Sequence, residues 1–221
     1  MILVGICGAS GSGKSTLAEE IQASLTCDTL ILGQDCYYKD HSHLPFHERM
    51  RINYDRPDSF DDDELLADIQ TLACGQTIPR KGYDYAEHRR ADSQEQIAPP
   101  DVLILEGIHA FHKEALRAAM SLKVYMHVDT DVCLLRRIQR DIKERGRDID
   151  NIGAQYLNSV KPMYERYISK YIRYADFAVM HGGKNRCAID AVSAYISAKL
   201  LAEAFAKEEA QKTQRISPPE A

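Results

Sequence analysis

The sequence predicts an α/β protein with a doubly wound parallel sheet and helices on both of its faces. Short apolar runs alternate along the chain with amphipathic stretches of helical length, which is typical of a mostly parallel sheet. The apolar runs do not alternate strictly with polar residues, as expected for strands that are covered on both faces. In such a sheet, ligands bind beyond the carboxyl ends of the strands.

Five strands and five helices are predicted in order. The strands are expected at 2–7, 29–32, 102–105, 122–128 and 177–180, and the helices at 14–25, 62–74, about 109–119, 131–144 and 188–206. Two polar segments, about 36–60 and 75–100, interrupt the alternation, and long insertions in a compact domain are usually functional or disordered. We expect a single domain over 1–206. A flexible tail is expected over 207–221, where Pro218 and Pro219 would stop a helix.

Composition limits the classes of function. The 221 residues, 44% of them hydrophobic, are enough for one sizeable core, and the formal net charge of −5 argues against a general nucleic-acid binder. The six cysteines form no C-x-x-C pair, which indicates a reducing compartment rather than a zinc site or a disulfide framework. The opening MILVGIC lacks the marks of a signal peptide, and no apolar run reaches transmembrane length. We expect a cytoplasmic protein that binds neither nucleic acid nor a membrane.

A glycine-rich stretch, GASGSGKS, lies between the first predicted strand and the first predicted helix. It matches the phosphate-binding pattern G-x-x-x-x-G-K-[ST], in which backbone N–H groups and a helix N-terminus cradle phosphates. Lys14 is expected to reach the β- and γ-phosphates, and the Ser15 hydroxyl to bind Mg²⁺. A glycine turn without a ligand is the alternative, but the match is complete and in the correct context. The predicted nucleotide-binding residues are Gly8, Ala9, Ser10, Gly11, Ser12, Gly13, Lys14, Ser15 and Thr16.

Nucleotide binding leaves two classes open: a GTPase-type switch or regulator, and a kinase that phosphorylates a small molecule. A guanine-recognising N-K-x-D sequence, typical of the switch class, does not occur in the chain. Asp35 follows the second predicted strand and Glu106 ends the third, so both are expected at the ligand edge of the sheet. Strand-end carboxylates also serve as ordinary caps, but beside a phosphate loop they favour a kinase.

The stretch LLRRIQRDIKERGRD, at 134–148, holds five arginines and a lysine. At about 100° per residue, one third of a helix collects most of the cations, with Asp141 and Glu144 at its edge. On its own, this pattern favours a solvated helix face. Beside a phosphate loop, it favours a closing lid over about 136–155 that neutralises the transition state, with Gly146 as a hinge. The cationic side consists of Arg136, Arg137, Arg140 and Lys143, and the opposite side of Leu134, Leu135, Ile138 and Ile142.

Taken together, the motifs resemble one family, the uridine kinases or uridine–cytidine kinases. The resemblance extends from Ile2 to about Ala204, and NYDRPDSFD and RDIKERGRD are highly specific to that family, whereas the phosphate loop is not. It implies a P-loop NTPase-type fold with a small β-hairpin insertion and an Arg-rich lid at the acceptor site. The matching segments are GASGSGKS, LGQDCYYKD, NYDRPDSFD, GYDYAEHRR, VLILEGIHAF, VDTD, RRIQRDIKERGRD and VKPMYERY.

The resemblance implies a catalytic role for particular positions. Asp35 is similar to the base that faces the nucleoside 5′-hydroxyl, and Lys14, Arg140 and Arg145 match the cations that reach the phosphates. The implied Mg²⁺ site uses oxygen atoms of Ser15, Asp35 and Glu106, directly or through water. The phosphoryl donor is expected to be ATP or GTP. An acidic residue often stands in the family where this chain has Lys184, so the preference between the two donors stays open.

The resemblance also implies an acceptor site. Asp55 matches the residue that accepts hydrogen bonds from the ribose 2′- and 3′-hydroxyls, with Arg137 supporting the same sugar. His88 matches the residue that recognises the O4 or N4 edge of the pyrimidine. Further acceptor positions are Arg147 and Gln155, and the base-packing aromatic residues are Tyr38, Tyr54 and Tyr83. Five tyrosines lie in polar surroundings without core spacing, which favours a ligand pocket over core packing: Tyr37, Tyr38, Tyr54, Tyr83 and Tyr85.

The expected reaction is transfer of the γ-phosphoryl group of ATP or GTP to the 5′-hydroxyl of uridine, and of cytidine, giving UMP or CMP in pyrimidine salvage. The resemblance further implies a homotetramer that CTP or UTP inhibits. Two alternatives stay open: a P-loop kinase of the phosphoribulokinase or pantothenate kinase type, and a non-catalytic nucleotide-binding regulator. The tyrosine-rich acceptor region argues against a sugar phosphate, which would require more cations there.

Overall fold

The computed structural model describes residues 1–216 and assigns nine strands and eight α-helices to them. The strands are β1 (Ile2–Gly8), β2 (Thr29–Gly33), β3 (Ile78–Pro79), β4 (Tyr83–Asp84), β5 (Arg89–Arg90), β6 (Gln96–Ile97), β7 (Val102–Gly107), β8 (Leu122–His127) and β9 (Phe177–Met180). The helices are α1 (Lys14–Ser24), α2 (Phe46–Arg49), α3 (Asp62–Ala73), α4 (Glu114–Ala119), α5 (Thr130–Arg145), α6 (Ile149–Gln155), α7 (Lys161–Arg166) and α8 (Arg186–Ile216).

The predicted doubly wound sheet is confirmed. Its five strands are all parallel, in the order β2-β7-β1-β8-β9, with β1 at the centre and every residue of β1 buried. Successive side chains of a strand point to opposite faces, so Leu3 and Cys7 enter one core while Ile2, Val4 and Ile6 enter the other. The first core includes α3 and the tyrosine-rich insertion, and the second includes α1 and α8. Helices and loops therefore cover both faces, which explains the near-continuous apolar runs.

The two predicted insertions both carry short regular elements. Segment 36–60 contains α2 and the 3₁₀ turn Pro57–Ser59, and segment 75–100 contains two antiparallel pairs, β3–β6 and β4–β5. The pair β4–β5 is the predicted small hairpin, and Glu64 of α3 binds both Lys81 and Arg90 beside it. The second insertion is thus held against α3 by ion pairs.

Several boundaries differ from the prediction. The helix expected from about 109 begins only at Glu114, because His109 is held outside the helix by contacts with distant residues. The last helix runs to Ile216, ten residues past its predicted end, and so includes the first part of the expected flexible tail. Residues 217–221, the rest of that tail, lie outside the described residues. No helix in the described part of the chain is long and apolar enough to span a membrane.

Candidate active site

The phosphate loop joins β1 to α1 in a backbone conformation that depends on glycine. Gly11 and Gly13 have φ angles of +83° and +93°, in the left-handed region that residues with a Cβ rarely adopt. A Cβ on Gly11 would lie 2.3 Å from the carbonyl oxygen of Cys133 at the start of α5. Lys14 is buried and its Nζ donates to the carbonyl of Ala9 at 3.0 Å, so the ammonium lies inside the loop. The nine predicted residues, 8–16, thus comprise the end of β1, a narrow turn and the first turn of α1, the arrangement that cradles phosphates.

Ser15 and Glu106 form the oxygen-rich part of the site. The Ser15 hydroxyl donates to Glu106 Oε1 at 2.9 Å, because α1 starts directly beside the end of β7. The pKa of Glu106 is raised above its ordinary value, mainly by burial and also by the nearby Asp35 carboxylate, whereas the Lys14 ammonium acts in the opposite direction. Asp35 follows the neighbouring strand β2, whose last residue, Gly33, pairs with Glu106. The strand-end placement predicted for both carboxylates is therefore what the structure shows.

These oxygen atoms suit a hard cation. Within the described residues, His, Cys, Asp and Glu side chains form no group of three or more that could by itself hold a metal. Mg²⁺ in kinases is usually bound by only a few protein oxygens, and phosphates and waters supply the other ligands. One hydroxyl and two carboxylates are such a partial ligand set. Ser15, Asp35 and Glu106 thus fit the predicted metal.

A single cavity of about 260 Å³ brings together the phosphate loop, the strand-end carboxylates, the insertions and the lid helix. Cations and carboxylates both line it, with aromatic rings at the side of the insertions. Most of the predicted site residues outside the glycine turn meet here. They are Lys14, Ser15, Asp35, Tyr38, Tyr54, Asp55, Tyr83, His88, Glu106, Arg137, Arg140, Arg145, Arg147 and Gln155, joined by Ser10, Tyr85, Gly107, Ile108 and Glu144.

The aromatic side of the cavity comes from both insertions. Tyr38 packs edge-on against Tyr54, with ring centroids 5.2 Å apart, and lies 4.9 Å from the Tyr83 ring. The His88 ring stacks on Tyr54 at 5.2 Å, on a backbone with φ +49°. Burial and the neighbouring arginines lower the pKa of His88 to about 4, so its imidazole is neutral at pH 7 and offers one donor and one acceptor. A planar ligand with polar edges matches this wall.

Asp55 lies at the floor of the cavity and is only 7% exposed. Burial raises the pKa of its carboxyl group, whereas the Arg137 guanidinium lowers it. Its backbone is fixed on both sides, since the amide donates to Asn53 Oδ1 at 3.0 Å and the carbonyl accepts from His109 Nε2 at 2.7 Å. The carboxylate faces the cavity from a rigid loop, which suits recognition of ligand hydroxyls.

Helix α5, the predicted lid helix, turns part of its charged side inward, whereas Arg136 and Lys143 of the predicted cationic side are exposed. Arg137 is 4% exposed and Asp141 is fully buried, whereas Leu135 is 61% exposed and Ile142 46% exposed. This is the reverse of an ordinary surface helix. Asp141, predicted at the edge of the cationic side, has its carboxylate in contact with four arginines. Its oxygens contact Arg140 at 2.8 Å, Arg147 at 3.3 Å, Arg145 at 3.5 Å and Arg137 at 3.6 Å.

Gln155 of α6 binds two arginines, and one of them, Arg137, connects α5 to the phosphate loop. The Gln155 Oε1 accepts from Arg137 and from Arg147, both at 2.8 Å, and Arg137 also donates to the Ser10 hydroxyl at 2.9 Å. Gly146, with φ +62°, ends α5 and turns the chain so that Arg147 points back to the same cluster. Lys143 and Arg136 do not line this cavity; the Arg136 guanidinium instead lies over Gly182.

Two tyrosines behave differently from the sequence-based interpretation. Tyr37 was expected in a ligand pocket, but it is fully buried in the core and its hydroxyl donates to Asp68 at 2.9 Å. Tyr85 lines the cavity, donates to Asp35 Oδ2 at 2.9 Å and carries the Arg145 guanidinium 4.1 Å above its ring. Tyr85 had been noted as a pocket tyrosine but not assigned to the site. Its spacing two residues after Tyr83, one residue beyond β4, is the signal that could have identified it.

Comparison with known proteins agrees with this geometry. Residues 3–188 match the model of the Phosphoribulokinase / Uridine kinase family. A uridine kinase of Brevibacillus brevis is 46% identical over 201 residues, covering 90% of this chain and 94% of that protein. A uridine kinase of Staphylococcus aureus strain JH9 is 43% identical over 195 residues, covering 88% and 94%.

The fold is shared with a solved kinase of low sequence similarity. The phosphoribulokinase of Rhodobacter spheroides superposes with a TM-score of 0.57 at 11% identity, covering 81% of this chain and 69% of that one. That likeness confirms the P-loop kinase fold. With the family model spanning most of the chain, the protein belongs to the phosphoribulokinase/uridine kinase family.

Proposed function

We propose that the protein is a uridine kinase that transfers the γ-phosphoryl group of a nucleoside triphosphate to the 5′-hydroxyl of uridine, giving UMP. The observation that carries the proposal is that Lys14 and Asp35 line one cavity with the aromatic residues of both insertions. A phosphate-binding ammonium and a carboxylate able to align an alcohol are therefore adjacent to a wall suited to a base. The names and identities of the curated relatives support the same substrate.

The chain supplies charge neutralisation and alignment, which are the main demands of phosphoryl transfer. Lys14, Arg140 and Arg145 all line the cavity, and in this proposal their cations neutralise the phosphates. Asp35 orients the attacking 5′-oxygen and accepts its proton. Since a loose transition state requires little activation of the nucleophile, alignment is the larger contribution of Asp35. Ser15, Asp35 and Glu106 would hold Mg²⁺, which when bound would supply further neutralisation of the triphosphate.

The acceptor is held by groups that match a pyrimidine nucleoside. Asp55 and Arg137 bind the ribose hydroxyls, and the rings of Tyr38, Tyr54 and Tyr83 pack around the base. The neutral imidazole of His88 donates to O4 of uracil and accepts from N4 of cytosine, so cytidine is a second substrate. Arg147 and Gln155 complete the wall.

The donor end of the site allows both ATP and GTP. The loop 181–185 packs directly on the phosphate loop, since a Cβ on Gly183 would lie 2.4 Å from the carbonyl oxygen of Gly13. Lys184 is exposed in this loop and offers no carboxylate to either purine. We therefore include both donors in the proposal.

Location, assembly and regulation belong to the same proposal. The six free cysteines agree with a reducing cytoplasm. A homotetramer and inhibition by CTP or UTP are expected from the resemblance to the uridine kinases. Light scattering of the purified protein measures the number of subunits. Uridine turnover at rising CTP or UTP concentration measures the inhibition.

Measurement of ADP release with uridine, with ribulose 5-phosphate and without acceptor separates this proposal from its rivals. Uridine-dependent release that forms UMP supports it. Release that depends on ribulose 5-phosphate would favour a phosphoribulokinase, and release that no acceptor changes would favour a regulator or a hydrolase.

A further inference from the structure

Behind the acceptor cavity lies a buried histidine that contacts both acceptor loops. His109 follows β7 by two residues and is fully buried. Its backbone N–H donates to Gln34 Oε1 at 3.0 Å, and Gln34 directly precedes Asp35. Its ring Nε2 lies 2.7 Å from the backbone carbonyl oxygen of Asp55. One residue outside the cavity thus touches the loop of the proposed base and the loop of the proposed ribose ligand.

The direction of each hydrogen bond follows from the partners. A carbonyl oxygen only accepts, so Nε2 of His109 carries the hydrogen and donates to Asp55. Burial lowers the pKa of His109 to about 4, so the ring is neutral and Nδ1 is an acceptor. The Tyr171 hydroxyl, 2.9 Å from Nδ1, therefore donates to it. Nδ1 of His112, also 2.9 Å from that hydroxyl, then donates to the tyrosine oxygen.

This chain of bonds fixes one tautomer of His109. Were the Tyr171 hydroxyl removed, the ring could place its hydrogen on Nδ1 and direct a lone pair at the Asp55 carbonyl, which would repel it. Tyr171 belongs to the 3₁₀ segment Ile168–Tyr174, which follows the lid, and it is 4% exposed. The bonds therefore hold the Asp55 backbone against a rigid part of the fold rather than against another loop.

We propose that His109, oriented by Tyr171, is a positioning residue that holds Asp55 where it distinguishes ribose from deoxyribose. The inference rests on the proposed function, since it deepens the acceptor site of a uridine kinase. His109 touches neither the cavity nor the substrate; it acts through the Asp55 carbonyl. A loop that shifts by a fraction of an ångström weakens a hydroxyl contact more than it weakens base packing.

The test compares kcat/KM for uridine and for 2′-deoxyuridine in His109→Leu, His109→Gln and Tyr171→Phe. For His109→Leu, we expect the uridine value to fall about tenfold, the size of one hydrogen bond to a buried acceptor. Deoxyuridine lacks one of the hydroxyls that Asp55 recognises, so the preference for uridine should fall about fivefold. Glutamine keeps an N–H donor and should restore the preference to within about twofold of the parent. Tyr171→Phe should lower the preference about twofold to threefold.

Leu116→Ala is the matched control. Leu116 is fully buried in α4, a few residues further along the same segment, and it does not line the acceptor cavity. It should lower the melting temperature and leave the preference for uridine unchanged. A His109→Leu variant with both nucleosides slowed equally, or with the parent preference, would overturn the inference. If the His109→Leu variant does not fold, an unchanged preference for uridine in Tyr171→Phe would by itself overturn the inference. Failure of the parent to phosphorylate uridine would instead refute the proposed function.

Discussion

The hydroxyl of Tyr85 donates a 2.9 Å hydrogen bond to Oδ2 of Asp35. The same ring carries the Arg145 guanidinium at 4.1 Å from its centroid, within range of a cation–π interaction. Tyr85 therefore joins Asp35, just after β2, to Arg145, at the end of α5. In the proposed mechanism, one side chain therefore connects the group that aligns the acceptor with a cation that reaches the phosphates.

Tyr85→Phe tests this link. The substitution keeps the ring under Arg145 but removes the hydrogen bond that orients Asp35. We expect kcat for uridine to fall about threefold to tenfold, the range for one such bond, with little change in melting temperature. Steady-state kinetics measure the change in kcat, and thermal unfolding measures the melting temperature. An unaltered kcat would show that Asp35 is oriented by other groups.

Asp35→Asn tests the role of the carboxylate itself. An asparagine has a similar shape but cannot accept the proton of the 5′-hydroxyl as a carboxylate does. We expect kcat to fall by about 10²–10⁴ while triphosphate binding stays near normal. Asp58→Asn, an exposed turn residue paired with Arg56, is the control and should keep full activity. Near-normal turnover in Asp35→Asn would remove Asp35 from the proposed mechanism.

Asp141→Asn tests the arginine cluster. Burial alone would raise the pKa of Asp141, but the surrounding guanidinium groups hold it below its ordinary value. A carboxyl whose pKa is lower in the folded state stabilises the fold above its unfolded pKa of about 3.9, and that contribution disappears as the pH falls through the folded pKa. At pH 7, we expect the variant to lose about 3 kcal/mol of unfolding free energy, because four guanidiniums lose their shared counter-ion.

Urea unfolding of the parent and of Asp141→Asn at pH 7 and at decreasing pH measures this effect. Asp190→Asn removes an exposed carboxylate paired with Arg186 and should change stability by less than about 0.5 kcal/mol. A loss in Asp141→Asn no larger than that of this control would mean that the cluster is held by packing alone.

Glu64→Gln tests how the hairpin is anchored. Glu64 binds Arg90 through two hydrogen bonds of 2.8 and 3.1 Å, and also Lys81, which flanks the hairpin that carries Tyr83. The hydrogen bonds from Arg90 lower the pKa of Glu64 to about 2, so this stabilisation is present above pH 4.5 and lost as the pH falls toward 2. We expect the variant to raise the KM for uridine about threefold, through a less fixed base wall.

The matched control for that variant is Glu95→Gln. Glu95 also pairs with an arginine of the same insertion, Arg80, at 2.6 Å, but the pair is exposed and distant from the cavity. The KM of the Glu95→Gln variant for uridine should equal that of the parent protein. Equal effects of the two substitutions would show that the ion pair of Glu64 does not position the base wall.

The fold, the phosphate loop and the positions of Asp35 and Glu106 at one sheet edge could be predicted because their signals are local. Apolar runs located every strand of the main sheet, and the rule for parallel sheets placed Asp35 and Glu106 at one edge without any coordinates. The P-loop pattern fixed the turn that leads to Lys14. Each of these inferences uses only a few neighbouring residues and the geometry of one strand–helix unit.

The remaining features depend on contacts between distant parts of the chain. The contacts of Asp141 with four arginines could not be predicted, because helical periodicity gives an angle around the helix axis but not the direction of the cavity. Tyr37 and Tyr38 are adjacent, and only the packing of segment 36–60 decides that one enters the core and the other the cavity. His109 is separated by 62 residues from Tyr171, a distance over which no sequence pattern reports a hydrogen bond.

A crystal structure with uridine, Mg²⁺ and a non-hydrolysable ATP analogue tests the central claim most directly. We predict that the 5′-oxygen lies beside Asp35 and points at the γ-phosphorus, with the ribose hydroxyls on Asp55 and the uracil edge on His88. Arg140 and Arg145 should contact the phosphates opposite Lys14. Uridine bound elsewhere, or those two guanidinium groups far from the triphosphate, would contradict the proposed mechanism.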